Sequence, residues 1–181
     1  MHPIRLDSSR TVAIIAMMSS LGLIGNYALV GLPNVELSSV TIFVTACVFG
    51  LPVATYCVLC IAITFSLLNP WGSMLPPILA AQIAGWLIMA AVGDSVARHD
   101  RGPDGRIERA ESATAGAVTT FIFDVLTNIA YGWSFGIPLE IALVVGLPFM
   151  VVHVASNTLI FALAADRLVT MIRGLMLQYT D

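Results

Sequence analysis

The sequence contains no lysine and few charged residues of any kind. All eight basic residues are arginine, and charged residues make up only 10% of the 181-residue chain, against roughly 25% in soluble proteins. Without lysine, the chain cannot bind nucleotide phosphates through a P-loop lysine or form a Schiff base. The sequence therefore excludes both an ATPase of the P-loop type and a Schiff-base enzyme.

Cysteine and histidine are also scarce, with three residues of each. Cys47, Cys57 and Cys60 all lie within apolar runs. Cys57 and Cys60 have the spacing of a redox or zinc pair, but no histidine and no second cysteine pair accompany them. We interpret the cysteines as buried apolar residues and expect neither a metal nor a cofactor.

Apolar residues make up 58% of the chain and are concentrated in long runs. A helix of about 20 apolar residues crosses a hydrocarbon layer of ~30 Å. We interpret the run 11–30 as a first transmembrane helix and not as a cleaved signal peptide, because no small-residue cleavage motif ends it and further spans follow. Six spans of this length leave no room for a soluble domain of usual size.

Two of the apolar runs have lengths that do not fit a single upright helix. The run 37–68 is interrupted at Gly50 to Pro52, and we predict two short helices forming a hairpin that turns at 50–52. Two further spans are predicted at 77–93 and 113–131. In the last run, 138–165, Pro148 predicts a division into a short lead-in, 138–146, and a helix that ends near Asp166.

The distribution of the arginines along the chain tests how many times the chain crosses the membrane. With six spans, all eight fall in the two tails and in the hydrophilic loop 94–112, on one side. A cytoplasmic face is recognised by this excess of arginine. The sequence therefore predicts an all-α bundle of six transmembrane helices, a multi-pass protein of the inner cell membrane with both termini cytoplasmic. Its parts are a tail at 1–10, a membrane domain at 11–170 and a tail at 171–181.

Three loops then face outward, at 31–36, 69–76 and 131–137, and they are rich in glycine, proline, asparagine and aromatic residues. Two interpretations stay open. The aromatic residues could form an interfacial belt, or the loops could form a lid over a pocket that opens outward.

Polar residues also pair at helical spacing inside the predicted spans. Residues four apart share one face of a helix, and burial of such residues in lipid is costly unless they point into the bundle. There they either bind a ligand or hydrogen-bond to neighbouring helices. The pairs are Gln82 with Trp86, Asp124 with Asn128, and His153 with Asn157.

An intramembrane hydrolase is a weaker alternative. The series Phe149, His153 and Asn157 echoes part of the metal-dependent intramembrane proteases, but only one histidine lies within the spans, and no Gly-x-Ser-x-Gly motif occurs. We therefore predict no catalytic residue and no enzyme activity.

Four motifs occur in order along the chain. They are Pro-Asn-Val-Glu-Leu before the second helix, Val48-Phe49-Gly50, Asn69-Pro70-Trp71-Gly72, and Gly146-Leu147-Pro148-Phe149 followed by His153 and Ser156-Asn157. Together they resemble the substrate-binding S component of energy-coupling factor (ECF) transporters. The resemblance covers residues 11–170.

This resemblance implies a membrane-embedded protein that binds a vitamin, a cofactor precursor or a metal from outside. It also implies partners, namely a coupling transmembrane subunit with two cytoplasmic ATPases. Docking would use small residues of the first helix, Ala13, Ala16 and Ser20, with Met17 where an alanine is expected. The implied ligand contacts are Asn34, Glu36, Asn69, Trp71, Gln82, Trp86, Asp124, Asn128, Trp133, His153 and Asn157.

The charge of the outward face indicates the class of ligand. It holds no arginine or lysine, so we expect a neutral or cationic small molecule and no nucleic acid. Aromatic residues would stack on a planar ligand, amides would orient it, and Asp124 or Glu36 would pair with a positive charge. A stand-alone secondary carrier or a scaffold subunit of the same fold is the alternative.

Overall fold

The computed structural model describes residues 3–4, 6–70, 72, 75–99 and 106–178, and within these residues the chain is helical and has no strand. A π-helical segment, Phe161–Ala165, joins the last two helices into one continuous helix of 40 residues, Leu139–Gln178. The helices are α1 (Ser8–Ala28), α2 (Ser38–Phe49), α3 (Leu51–Leu67), α4 (Pro76–Arg98), α5 (Arg109–Phe135), α6 (Leu139–Ile160) and α7 (Asp166–Gln178).

Four helices of the described chain are long and apolar enough to cross a membrane. They are α1, α4, α5 and the continuous helix formed by α6 and α7. The prediction of an all-helical chain compatible with a membrane is confirmed at this level.

Helix α2 lies at the centre of the bundle. All 12 of its residues are buried, and it packs against every other helix. At 1.5 Å per residue it is about 18 Å long. Because it has no face toward lipid, its length does not have to match the hydrocarbon thickness. Central burial explains why this apolar helix is shorter than a membrane span.

The chain reverses between α2 and α3 at a single residue, Gly50, whose φ is 86°. This backbone conformation disfavours any residue that carries a Cβ. At the other end of the two helices, Asn26 of α1 accepts a hydrogen bond from the backbone N–H of Ser38 in α2, and Tyr27 donates to the carbonyl of Leu68 just after α3. The first residues of α2 and the last of α3 thus share one end, so the two helices are antiparallel, as predicted for the turn at 50–52.

The two ends of the described chain both contact the Gly50 end of the bundle. The backbone N–H of Ile4 donates to the carbonyl of Val48 at 2.9 Å, and the guanidinium of Arg173 donates to the carbonyl of Cys47 at 2.9 Å. Two ion pairs belong to the segments that flank the loop after α4: Arg98 with Asp94 at 2.8 Å, and Arg106 with Asp166 at 2.9 Å.

Pro148 does not divide the last apolar run, and this prediction was wrong. Helix α6 continues through Pro148, and the chain stays helical past the expected end at Asp166. A proline inside a helix removes one hydrogen-bond donor. Here, however, Gly146 lets Asn128 of α5 approach so closely that a Cβ on Gly146 would overlap the asparagine amide. Helix α6 thus lies directly against α5 near Pro148, and a neighbouring helix is a setting in which a transmembrane helix tolerates a proline.

Candidate functional site

A cavity of about 450 Å³ lies at the end of the bundle opposite Gly50. The loop between α1 and α2 forms one wall, and helices α4, α5 and α6 form the other. Six of the eleven predicted ligand contacts line it: Asn34, Glu36, Gln82, Trp86, Asp124 and His153.

A histidine placed between two carboxylates forms the polar centre of this cavity. His153 Nδ1 lies 2.8 Å from Asp124 Oδ1, and His153 Nε2 lies 3.6 Å from Glu36 Oε1. Asp124 and His153 are only 4% and 5% exposed. With both carboxylates ionised, the cluster has a net negative charge whether the imidazole is neutral or protonated. Within the described residues, the cluster does not have the arrangement of a metal site.

Glu36 connects the loop to the helices on either side of it. Its Oε2 accepts a hydrogen bond from the backbone N–H of Ser39 at 2.9 Å, and its Oε1 accepts one from Asn157 Nδ2 at 3.2 Å. Burial by itself raises the pKa of the Glu36 carboxyl, but the nearby His153 imidazole and the hydrogen bond from Ser39 outweigh burial and lower this pKa below its ordinary value. Glu36 is therefore a carboxylate that stabilises the first turn of α2.

Asn157 binds Glu36 behind the cavity wall and does not itself line the cavity. Its amide donates to Glu36 and to Thr120 Oγ1, the latter at 3.0 Å. Sequence reasoning missed Thr120, although it lies four residues before Asp124 on α5. The same spacing that paired Asp124 with Asn128 could have found it.

Asn34 ties the loop to α6. Its φ of 58° places it in the left-handed region, which asparagine tolerates better than most residues. Its side-chain amide donates to the carbonyl of Phe149 at 3.1 Å, and its own carbonyl accepts from Ser156 Oγ at 3.2 Å. Ser156 was not predicted as a site residue, and its local sequence gives no indication that its partner lies in a loop 122 residues away.

Aromatic rings form the wall beside the carboxylates. Trp86 Nε1 donates to Ser39 Oγ at 3.2 Å, and the Trp86 ring packs 5.2 Å from Phe123. Phe123 in turn meets His153 edge to face at 5.8 Å. Gly85 makes this packing possible, because a Cβ there would lie 2.6 Å from Phe123 Cδ2. The rings shield the polar cluster and offer faces for a planar ligand.

Three buried polar atoms of the cluster have no hydrogen-bond partner among the described residues. They are Asp124 Oδ2, His153 Nε2 and Asn157 Oδ1. Buried polar atoms are nearly always hydrogen-bonded in native proteins. Because Asp124 and His153 line the cavity, the cluster is able to receive hydrogen bonds from a bound molecule.

The other predicted contacts are more scattered. Asn128 lines a second cavity and donates to the backbone carbonyl of Asp124 at 2.8 Å. Asn69 lines neither of these two cavities. Trp133 is 77% exposed, as expected for an interfacial residue. Trp71 lies outside the described residues.

The predicted docking residues occupy an exposed face of α1. Ala13, Ala16 and Ser20 are all exposed, and the large apolar side chains of Met17 and Leu21 are exposed beside them. Such a face is suited to contact with lipid or with another transmembrane helix.

Fold and site together define an all-helical protein that is compatible with a membrane and encloses an acidic cavity with aromatic walls. Comparisons with family models, curated proteins and solved structures find no match to this chain.

Proposed function

We propose that the chain is the substrate-binding subunit of an ECF-type importer, which captures a small neutral or cationic nutrient from outside the cell. The observation that carries this proposal is the cavity of about 450 Å³ with two carboxylates in its lining, the buried Asp124 and the half-buried Glu36. Sites for small molecules usually measure about 300–1,000 Å³ and combine apolar walls with a few convergent polar groups.

Arginine placement supports an outward orientation for the cavity. Arg173 binds at the Gly50 end, and Arg98 and Arg106 lie on the segments that flank the loop after α4. No arginine within the described ranges lines the cavity. By the positive-inside rule, the arginine-bearing end faces the cytoplasm and the cavity faces outward. Six spans with both termini in the cytoplasm satisfy this orientation.

Energy for uptake would come from partners. The sequence has no lysine and therefore no P-loop. Small residues allow transmembrane helices to approach closely, and the exposed face with Ala13, Ala16 and Ser20 would dock on the coupling subunit, which carries two ATPase subunits.

Native mass spectrometry of the protein purified from its host tests ligand capture. We expect a retained small molecule that is neutral or positively charged. Tight binding of a polyanion by the isolated protein would contradict the expected ligand class, because such a ligand would face Glu36 and Asp124 without a compensating cation.

Co-purification tests docking separately. Ala16→Trp should lose the ATPase subunits while it keeps the retained ligand, because the substitution blocks close helix contact far from the cavity. Val118→Trp is the matched control, since Val118 is also exposed, at 52%, but lies on α5. Loss of the partners in both variants, or in neither, would argue against docking through α1.

A proton-driven secondary carrier is the second candidate, and one observation favours it. Clusters of buried ionisable residues such as Asp124 and His153 are typical of proton relays in transporters. Uptake by the chain alone in liposomes, driven by a pH gradient, would support the carrier. Uptake that requires added ATPase and coupling subunits would support the importer.

A further inference from the structure

A second cavity, of about 510 Å³, lies beside the first. Its walls are mostly apolar and include Ile141, Ala142, Val145 and Met150 of α6. Of the described residues, four line both cavities, namely Asn34, Asp124, Thr127 and Phe149. The two cavities therefore share a wall, and one molecule can extend from one into the other.

Among the described residues, Asp124 is the only charged one in this shared wall. Asp124 Oδ1 lies 2.8 Å from His153 Nδ1. Asp124 Oδ2, in contrast, is buried and has no hydrogen-bond partner among the described residues. A buried carboxylate oxygen without a partner is costly. In the part of the chain that the structure describes, no arginine lines either cavity to pair with this oxygen.

We infer that the ligand is an elongated cation with N–H donors that occupies both cavities, with its positive group at Asp124 Oδ2 and an apolar portion in the second cavity. This inference rests on the proposed function and specifies the class of ligand.

Each part of the inference follows from a different feature. An anion is disfavoured by the like charges of Glu36 and Asp124. A quaternary ammonium group has no N–H to donate to Asp124 Oδ2, whereas an amidine or a protonated amine has. A short ligand would leave the apolar walls around Ala142 and Val145 uncovered.

Four probes separate the effect of charge from the effect of length. Benzamidine and 4-butylbenzamidine are cations, and benzamide and 4-butylbenzamide are neutral molecules of nearly the same shape. Their dissociation constants are measured by calorimetry on the full chain in lipid nanodiscs. The neutral butyl probe controls for partition into lipid.

We expect the butyl group to tighten binding of the cation by about tenfold or more, through burial in the second cavity. Each neutral probe should bind at least about tenfold more weakly than its cationic counterpart, because it lacks the charge that pairs with Asp124.

Variants assign each effect to its cavity. Asp124→Asn should abolish the preference for cations. Ala142→Leu narrows the second cavity and should remove the gain from the butyl group, while benzamidine still binds. Val144→Leu is the matched control, because Val144 is 70% exposed and lines neither cavity. If Ala142→Leu also loses benzamidine, Val145→Phe replaces it as the variant that fills the second cavity.

Equal affinity for amidine and amide, a butyl gain that survives filling of the second cavity, or no binding of any probe would overturn the inference. A retained anionic nutrient would overturn it and leave the proposed function intact. Absence of both a retained molecule and probe binding would remove the inference and the proposed function together.

Discussion

Glu36 shows how a single loop residue organises the site. Its two carboxylate oxygens accept hydrogen bonds from α2, through the Ser39 amide, and from α6, through Asn157. Both helices and the loop are therefore held by one side chain. Hydrogen bonds to a charged group in a buried setting contribute more than neutral ones.

Glu36→Gln should lower the free energy of unfolding by about 1–2 kcal/mol, because glutamine keeps the shape but loses the charge of these bonds. Chemical unfolding in detergent measures the change. Glu140→Gln provides the control, because Glu140 is exposed at the start of α6, and it should change stability by less than about 0.5 kcal/mol. Equal losses of unfolding free energy in the two variants would show that the charge of Glu36 does not stabilise the fold through these hydrogen bonds.

The same comparison has a defined pH dependence. Since the pKa of Glu36 in the folded protein lies below its ordinary value of 4.5, its contacts stabilise the fold above that value and are lost as the pH falls through the lowered pKa. The stability difference between wild type and Glu36→Gln should therefore be full at neutral pH and shrink below pH 4.5. A difference that stays constant under acid conditions would contradict the ionised state of Glu36.

The spacing of polar residues predicted which face of a helix points inward, but not which residues of other helices that face contacts. The four-residue spacing placed Asp124 on an inward face of α5 and His153 on an inward face of α6. Their contact at 2.8 Å depends on how each helix is rotated about its axis, and local sequence does not determine this rotation. Asn128 illustrates the same limit, because it binds the backbone of its own helix and lines the second cavity.

At the scale of elements, the contact between α2 and α4 depends on Gly93. A Cβ at this position would lie 2.7 Å from the carbonyl oxygen of Phe43 and 3.1 Å from Ala46 Cβ. Cys47 Sγ also donates to the carbonyl of Gly93 at 3.1 Å. The two backbones are therefore too close to admit even a methyl group without moving apart.

Gly93→Ala should destabilise the protein by about 1–3 kcal/mol, because the extra methyl group overpacks this contact. Gly174→Ala in α7 is the same chemical change in open space, since no described atom outside the adjacent backbone of its own helix lies within 4 Å of the new Cβ. Alanine favours a helix more than glycine does, so this control should be neutral or stabilising by up to about 1 kcal/mol. Thermal unfolding in detergent distinguishes the two, and similar losses in both would disprove the close-packing argument.

Two helix breaks were predicted at prolines, and only one of them occurs. The Gly50 to Pro52 break was predicted and occurs, because a glycine with positive φ and a proline in the first turn of the next helix both act locally. The break at Pro148 was predicted and does not occur; there α6 continues as a helix packed against α5, with Gly146 next to Asn128. Local sequence predicts the first kind of effect and cannot reveal the second.

At the scale of the whole molecule, the orientation of the bundle is open to direct labelling. Three exposed positions mark the two ends of the bundle: Trp133 lies in the last turn of α5, Pro52 in the first turn of α3, and Glu108 just before α5. In a Cys60→Ala background, an impermeant maleimide should label Trp133→Cys in intact cells. It should label Pro52→Cys and Glu108→Cys only after permeabilisation.

These positions separate the alternatives. Labelling of Pro52→Cys from outside would show that the α2–α3 hairpin does not cross the membrane. Labelling of Glu108→Cys together with Trp133→Cys in intact cells would contradict the orientation given by the arginines.

The buried position of α2 has a mechanical consequence. The amide of Ser39 at one end of the helix holds the Glu36 carboxylate, and the carbonyls of Cys47 and Val48 at the other end hold Arg173 and Ile4. Neighbouring helices bury α2 along its whole length. A displacement of α2 along its axis would therefore change the contacts of Glu36 and the contacts of both chain ends together.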